Sequence, residues 1–491
     1  MRILFFLHNI ARTRHFDGVL DTLAERGHTI ILAAGERKRT KPITLPKSAT
    51  RTNGRLARDP RGRGGRIELV LCPVQRTDEW RHTAPQLRRA RDYVRFLDPQ
   101  YKQSDKLRRR AATNAPPGWP TYLDEHAWLR QHPRRIARML ALVEDVIPSD
   151  ALFEDFIRRE KPDLVLVTPL VDYGDYQTDY VKSAHALGLP VGYLPFSWDN
   201  LTNRGLIRVQ PDRMLAWNEI QKREAVELHG MPPDRVSVTG APRFDEFFAM
   251  RPSTTREQFC ARTGLNPGSP LLFYICSSEF VAPQEVEFVR RWIAAVRGSA
   301  DPIVRSSSVL VRPHPAHPKP WAGVDLSEFP NVARWSAPQT MNADQGLYDS
   351  LFHSSAVIGL NTSAMIEAGI VGRPVHTIVT DEFGGGQEET IHFGYLRAAN
   401  GGLLHEARSL EEHVAQLAAA VRGDGAGGDQ ERRFVERFVR PRGLDMPVTP
   451  IMVEEIERMG QIVTRPRHAT PLWHHPVRWG IRRALANAVA P

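Results

Sequence analysis

One apolar run of this 491-residue chain, Ser308 to Val311, leads into Arg312, Pro313, His314 and Pro315. Prolines fix φ and stiffen the turn, so the guanidinium and imidazole would be held together at a strand end. A guanidinium there can fork two phosphate oxygens, and a fixed imidazole can bond a phosphate or a base. A second apolar run, Val357 to Gly359, leads into Leu360, Asn361, Thr362 and Ser363 and then a helical pattern carrying Glu367. Asn361 or Thr362 can cap that helix, leaving backbone N–H groups and the positive dipole end for a diphosphate. Ser363 and Glu367 lie four apart and share a face. A carboxylate one turn beyond an anion suits ribose hydroxyls, because it would repel phosphate.

Groups able to move a proton cluster after other apolar runs. The first loop holds His8, Asn9, Arg12, Arg14, His15 and Asp17, of which His15 and Asp17 could deprotonate a hydroxyl. Asp172 and Asp175 follow the run ending at Thr168, and Asp199 follows Val191 to Leu194. Polar residues at strand ends also serve as helix caps, so these candidates stay open. Gly384, Gly385 and Gly386 permit close backbone approach, to a ligand or within a plain loop.

Elements able to hold such groups are legible on either side. Ile3 to Leu7 is an apolar run; Phe16, Val19, Leu20 and Leu23 repeat at helical spacing; Gly27 stops that helix; and Thr29 to Ala33 resumes a strand. Strands are expected again at Ile67 to Leu71, 163–168, 191–194, 214–217 and 236–239, with a helix near 176–187. After a linker at 251–255 the alternation restarts with strands at 271–276, 309–312, 332–335, 357–359 and 375–379, and helices at 285–296 and 363–371. The expected fold is α/β, two doubly wound Rossmann-like domains facing a central cleft, the first over 1–250 and the second over 251–464. Residues 36–66 read as a basic loop. Residues 80–160 read as a solvated, basic helical insertion, with Arg88, Arg89, Arg91 and Arg108 to Arg110.

Composition narrows the class. Apolar residues make up 41% and charged residues 25%, which excludes a mostly disordered, collagen-like or disulfide-scaffold chain. The net charge of +10 is concentrated: residues 36–66 hold eleven Lys/Arg against two acids, and residues 465–491 hold five Arg and no acid. The charge is therefore a poor argument for nucleic acid, and no aromatic residues interleave with the arginines as base stacking would require. Cys72, Cys260 and Cys276 are far apart in apolar segments, as buried free thiols are. Apolar runs are too short for a membrane span, and the expected location is cytoplasmic. The tail from Leu472 to Val489 would carry a basic strip and an apolar strip as a helix. It could lie on the inner face of an anionic membrane with Trp473 and Trp479 at the interface, or pack on the protein.

The 312–315 turn, the 361–368 segment and the stretch Val238 to Asp245 together resemble the GT-B superfamily of nucleotide-sugar glycosyltransferases, which also contains non-hydrolysing UDP-GlcNAc 2-epimerases. Within it they are similar to bacterial surface-polysaccharide transferases and CDP-glycerol glycerophosphotransferase-like proteins. The resemblance covers most of 1–35 and 160–420. It implies a nucleotide-activated donor held in the second half by Arg312, His314, Asn361, Thr362, Ser363 and Glu367. It implies a glycan or lipid-linked acceptor in the first half, with a base among His15, Asp17, Asp172 and Asp199. Neither a metal nor a cofactor is expected. The alternatives are a UDP-sugar epimerase, an RNA- or anionic-surface-binding protein, and a scaffold without activity.

Overall fold

The computed structural model describes residues 1–35, 66–335, 343–423, 428–466 and 473–480, and the backbone course of 50–52 and 55–58. The chain forms two compact units. The first is Met1–Lys102, Leu107–Arg243 and Met446–Pro491; the second is Gln103–Lys106 and Phe244–Asp445.

The strands of the first unit are β1 (Arg2–Leu7), β2 (Thr29–Gly35), β3 (Thr50–Thr52), β4 (Arg55–Arg58), β5 (Arg66–Cys72), β6 (Leu164–Thr168), β7 (Val191–Tyr193), β8 (Arg213–Ala216) and β9 (Val236–Val238). Their order is β3-β4-β5-β2-β1-β6-β7-β8-β9. Only the β3–β4 and β4–β5 pairs are antiparallel. Every residue of β6, and Ile3 to Leu7 of β1, is buried, because helices cover both faces of a parallel sheet. The second unit has β10 (Leu271–Ile275), β11 (Ser308–Arg312), β12 (Val332–Arg334), β13 (Ala356–Ile358), β14 (Val375–Ile378) and β15 (Leu404–Ala407), all parallel, in the order β12-β11-β10-β13-β14-β15. Strand order reverses between β1 and β6 in one sheet and between β10 and β13 in the other. At such a point the chain leaves neighbouring strands in opposite directions and opens a crevice at their carboxyl ends.

Several expectations change. Most of the basic loop, 36–49, 53–54 and 59–65, lies outside the described residues, but 50–58 contributes the edge hairpin β3–β4. The helix Val448–Gly460 does not continue the second unit. Its Met452, Val453, Ile456 and Met459 share a core with Ile3, Phe5, Leu20 and Leu23, and Glu457 pairs with Arg26 and His28 at 2.8 Å each. All three cysteines are buried free thiols. Among the described residues no helix is long and apolar enough to cross a membrane.

The insertion is helical, but its arginines are not all solvated. Helix Thr83–Arg95 buries Arg88, Arg91, Asp92 and Arg95, positions that share one helical face. Arg88 is fully buried, with Nε and Nη2 on Glu144 at 3.1 and 3.0 Å and Nη1 on Asp179 at 2.7 Å. Asp92 accepts from the N–H groups of Gly174 and Leu206 and pairs with Arg208. Arg95 donates to the carbonyls of Leu201 and Gly205. One ionic face thus fastens the loops after β6 and β7. Arg88, Asp92 and Arg95 are tolerated in the interior because each finds hydrogen-bonded counter-charge or carbonyls, whereas Arg91 Nε and Nη1 have no hydrogen-bond partner among the described residues.

Arg88→Ala leaves Glu144 and Asp179 buried with less counter-charge, and should cost about 3–5 kcal/mol in chemical denaturation. Arg88→Lys should not restore it, because an ammonium cannot fork both carboxylates. A loss below about 1 kcal/mol, the range of exposed pairs, would mean that the network does not hold the insertion.

Candidate functional site

In the second unit three loops meet at the carboxyl ends of β10, β11 and β13. Arg312 is the last residue of β11, opposite Ile275 of β10. Burial lowers its pKa, opposed by the charges of Glu367 and Asp344, and its guanidinium lies 5.5 Å from the centre of the Trp335 ring. His314 follows, half-buried, with Nδ1 accepting from the Ala316 N–H at 3.1 Å. That bond puts the proton of the neutral ring on Nε2, which becomes a donor. Burial and the neighbouring His317 lower the His314 pKa, so the ring is neutral near pH 7.

Asn361 joins this group in a way its position in the sequence does not suggest. It stands before the helix Ala364–Ile370 without capping it: its backbone N–H reaches Ser277 Oγ at 3.3 Å and its side-chain amide donates to the Gly386 carbonyl at 2.7 Å. Ser363 takes the N-cap position and makes no side-chain cap bond, so neither Asn361 nor Thr362 performs the expected capping. Glu367 is buried on the same helix. Gly386 packs where a Cβ would lie 2.4 Å from the Val281 carbonyl oxygen, so the glycine turn is closed against the loop after β10. Gln387, fully buried, donates to the carbonyls of Leu360 and Ile378.

The loop after β10 had no place among the sequence candidates. Its Ser277 N–H donates to Glu285 at 2.6 Å, and Tyr274 Oη lies 3.2 Å from the same carboxyl. Burial pushes Glu285 up to about 7, against the lowering effect of these bonds. The topological reversal between β10 and β13 is the signal that would have found Ser277.

In the first unit the loops after β1, β6 and β7 converge in the same manner. His8 stands just past β1, with Nδ1 3.0 Å from Asp172 and Nε2 2.7 Å from Asp175, and stacks on Tyr176 at 4.9 Å. Burial alone would lower its pKa; the two carboxylates overcome this and raise it to about 9. Asp172 also pairs with Arg204 and lies 4.0 Å from Arg12, and despite burial these cations hold it well below the usual carboxylate range. Arg12 lies over Phe196, 4.0 Å from the ring centre. Asp199 adds its charge to Arg12 and Arg204 and accepts from the Asn203 amide. Thus Asp172, Asp175 and Asp199, separate in sequence, form one ionic group with His8, Arg12 and Arg204.

His15 shows the opposite behaviour. It is buried, and burial with Arg243, Arg14 and Arg12 lowers its pKa to about 3. Its ring is neutral at pH 7, and Nδ1 has no hydrogen-bond partner among the described residues. Asp17 opens the helix Asp17–Glu25, where a carboxylate suits the dipole. In the stretch Val238 to Asp245, Asp245 pairs with Arg440 at 2.7 Å.

No family model matches this sequence, and no curated protein resembles it by sequence. Solved structures do share its fold. A glycosyltransferase from Rickettsia africae matches with TM-score 0.52 at 10% identity, over 93% of this chain and 98% of that one. A candidate UDP-N-acetylglucosamine 2-epimerase from Listeria monocytogenes matches with TM-score 0.50 at 10% identity, over 96% and 100%.

Because the folded pKa of His8 lies above the ordinary 6.5, its ion pairs stabilise fully below pH 6.5 and fade as pH rises through about 9. Wild type should lose up to about 3 kcal/mol more than His8→Asn between pH 6.5 and 9.5, read as unfolding free energy. Parallel pH curves for the two proteins would contradict the assignment.

Proposed function

We propose that this chain, which has the GT-B fold, is a glycosyltransferase. It would move a sugar, or a chemically related glycerophosphoryl unit, from a nucleotide-activated donor to a glycan or lipid-linked acceptor of the cell surface. The observation that carries the reading is that Ser277 and Asn361 are hydrogen-bonded to each other at the strand-order reversal of the second sheet, with Arg312 and His314 at the end of the adjoining strand β11. A guanidinium and a ring Nε2–H there suit a diphosphate, and Glu367 suits ribose hydroxyls. The Rickettsia protein of the same fold is a glycosyltransferase, which supports transfer; the Listeria protein makes epimerisation the reading to be separated from it.

In this reading His15 is the base. Asp172 is committed to His8, Arg204 and Arg12, whereas Nδ1 of the neutral His15 has no hydrogen-bond partner among the described residues. A negative ligand that neutralised Arg12, Arg14 and Arg243 would raise its basicity. Positive charge for the leaving nucleotide comes from Arg312, so transfer needs no divalent metal.

The cytoplasmic, membrane-peripheral placement belongs to the same proposal. In the tail, Arg478 Nε donates to the Val146 carbonyl at 2.7 Å while Trp473 and Trp479 remain 48% and 62% exposed. The segment therefore packs through Arg478 and the buried His474, with both tryptophans partly exposed. Residues 467–472 and 481–491 lie outside the described residues.

The test is a panel of UDP, GDP, CDP and CMP in thermal shift, followed by product analysis with the matching labelled donors in EDTA. Arg312→Ala should weaken the preferred nucleotide by about 1.5–3 kcal/mol. His15→Ala should keep that affinity and lose roughly 10²- to 10⁴-fold in turnover. A free epimerised nucleotide sugar as product would replace transfer by epimerisation, and unchanged nucleotide affinity in Arg312→Ala would remove the donor site.

A further inference from the structure

The first unit encloses a cavity of about 600 Å³ between helix Thr83–Arg95, helix Asp105–Asn114 and the loops after β1, β5 and β6. Its walls are dominated by cations: Arg76, Arg81, Arg88, Arg89, Arg110 and Arg204, with His8. Some of this charge is already balanced. Glu144 and Asp179 take Arg88, Asp78 and Asp179 take Arg76, Asp172 takes Arg204 and His8, and Asp175, also in the wall, takes His8. Arg81 and Arg89 have no carboxylate partner among the described residues; Arg81 Nε reaches only His82.

Arg89 is nonetheless placed. Gly174 has φ +66°, and a Cβ on it would come within 2.9 Å of Arg89 Cγ and Nε, so the arginine stem lies directly on the backbone of the loop after β6. The left-handed φ favours glycine there, and a Cβ would push the Arg89 side chain aside. Tyr173, next to it, also lines the cavity. Its buried hydroxyl has no hydrogen-bond partner among the described residues, and burial pushes its pKa up to about 12, so it is a neutral donor.

We infer that this cavity binds a phosphate- or diphosphate-bearing molecule. Arg81 and Arg89 supply the uncompensated charge, and the Tyr173 hydroxyl supplies a further bond. Two arginines without counter-ions call for a ligand with more than one negative charge. A phosphomonoester carries close to two at neutral pH, and its tetrahedral oxygens accept forked guanidinium bonds. The volume lies within the roughly 300–1,000 Å³ of small-molecule sites, leaving room for the group to which the phosphate is attached. The position at the carboxyl edge of the sheet, beside the reversal between β1 and β6, is where this architecture opens a crevice. The inference concerns the first unit alone and stands apart from nucleotide binding by the second.

Isothermal titration of the full chain with inorganic pyrophosphate tests it. Wild type should bind, Arg312→Ala should keep a pyrophosphate site, and adding Arg81→Ala/Arg89→Ala in the Arg312→Ala background should weaken that site at least tenfold. Arg81 and Arg89 are exposed and outside the buried network, so the triple variant should unfold at the same temperature as Arg312→Ala. Absence of binding by wild type, or undiminished affinity in the triple variant, would overturn the inference. So would loss of all binding in Arg312→Ala, which would assign the anion to the second unit. If nucleotide binding fails while the pyrophosphate site kept by Arg312→Ala is weakened in the triple variant, the proposed function falls and this site remains. Parallel titrations with glucose 1-phosphate and dioctanoyl phosphatidic acid distinguish a sugar phosphate from a lipid phosphate as the source of the group.

Discussion

Arg88, without solvent contact, holds Glu144 on one helix and Asp179 on another, and the polar loops at the carboxyl edge of the first sheet depend on that arrangement. Helix Thr83–Arg95 crosses the carboxyl edge of the sheet with an ionic face turned inward. One turn beyond Arg88, Asp92 holds Gly174 and Leu206; one turn further, Arg95 holds Leu201 and Gly205. The loops carrying Asp172, Asp175 and Arg204 therefore keep their shape through charge-assisted bonds to an insertion, while the apolar core lies in the sheet below. Apolar packing alone would leave those loops without direction, since it is non-directional.

Both sheets reverse their strand order once, and in each the polar side chains gather at that reversal. The chemistry differs. In the second unit Arg312 and His314 stand at the end of β11, and Asn361, Ser277, Gly386 and Gln387 tie together the loops at the neighbouring strand ends. In the first, the loop after β1 contains two histidines with opposite protonation. His8 is made a cation by two carboxylates, and His15, surrounded by arginines, is kept neutral. Seven residues apart, they show that the local field and burial decide what an imidazole can do.

Much of this was legible from the chain. Short apolar runs such as Ile3 to Leu7 and Leu271 to Cys276 announced buried parallel strands, and the polar residues after them marked the carboxyl edges of the sheets. What escaped was polar and long-range. The periodicity that reveals a helix face is apolar, so the buried face of Arg88, Asp92 and Arg95 read as solvated. Asn361 read as a cap because its type and position suit one, but its amide bonds a carbonyl 25 residues away. Ser277 carries no local signal and gains its place only from strand order. The return of Val448–Gly460 to the first unit rests on contacts with residues more than 400 positions earlier, which no local pattern encodes.

The central claim is that the strand-order reversal of the second sheet is the nucleotide site. Hydrogen–deuterium exchange with and without the nucleotide that most stabilises the protein tests it directly. The account predicts slowed exchange in 276–284, 312–317 and 359–364. Slowed exchange confined to the first-unit loops at 8–16 and 169–176, with those three segments unchanged, would contradict it.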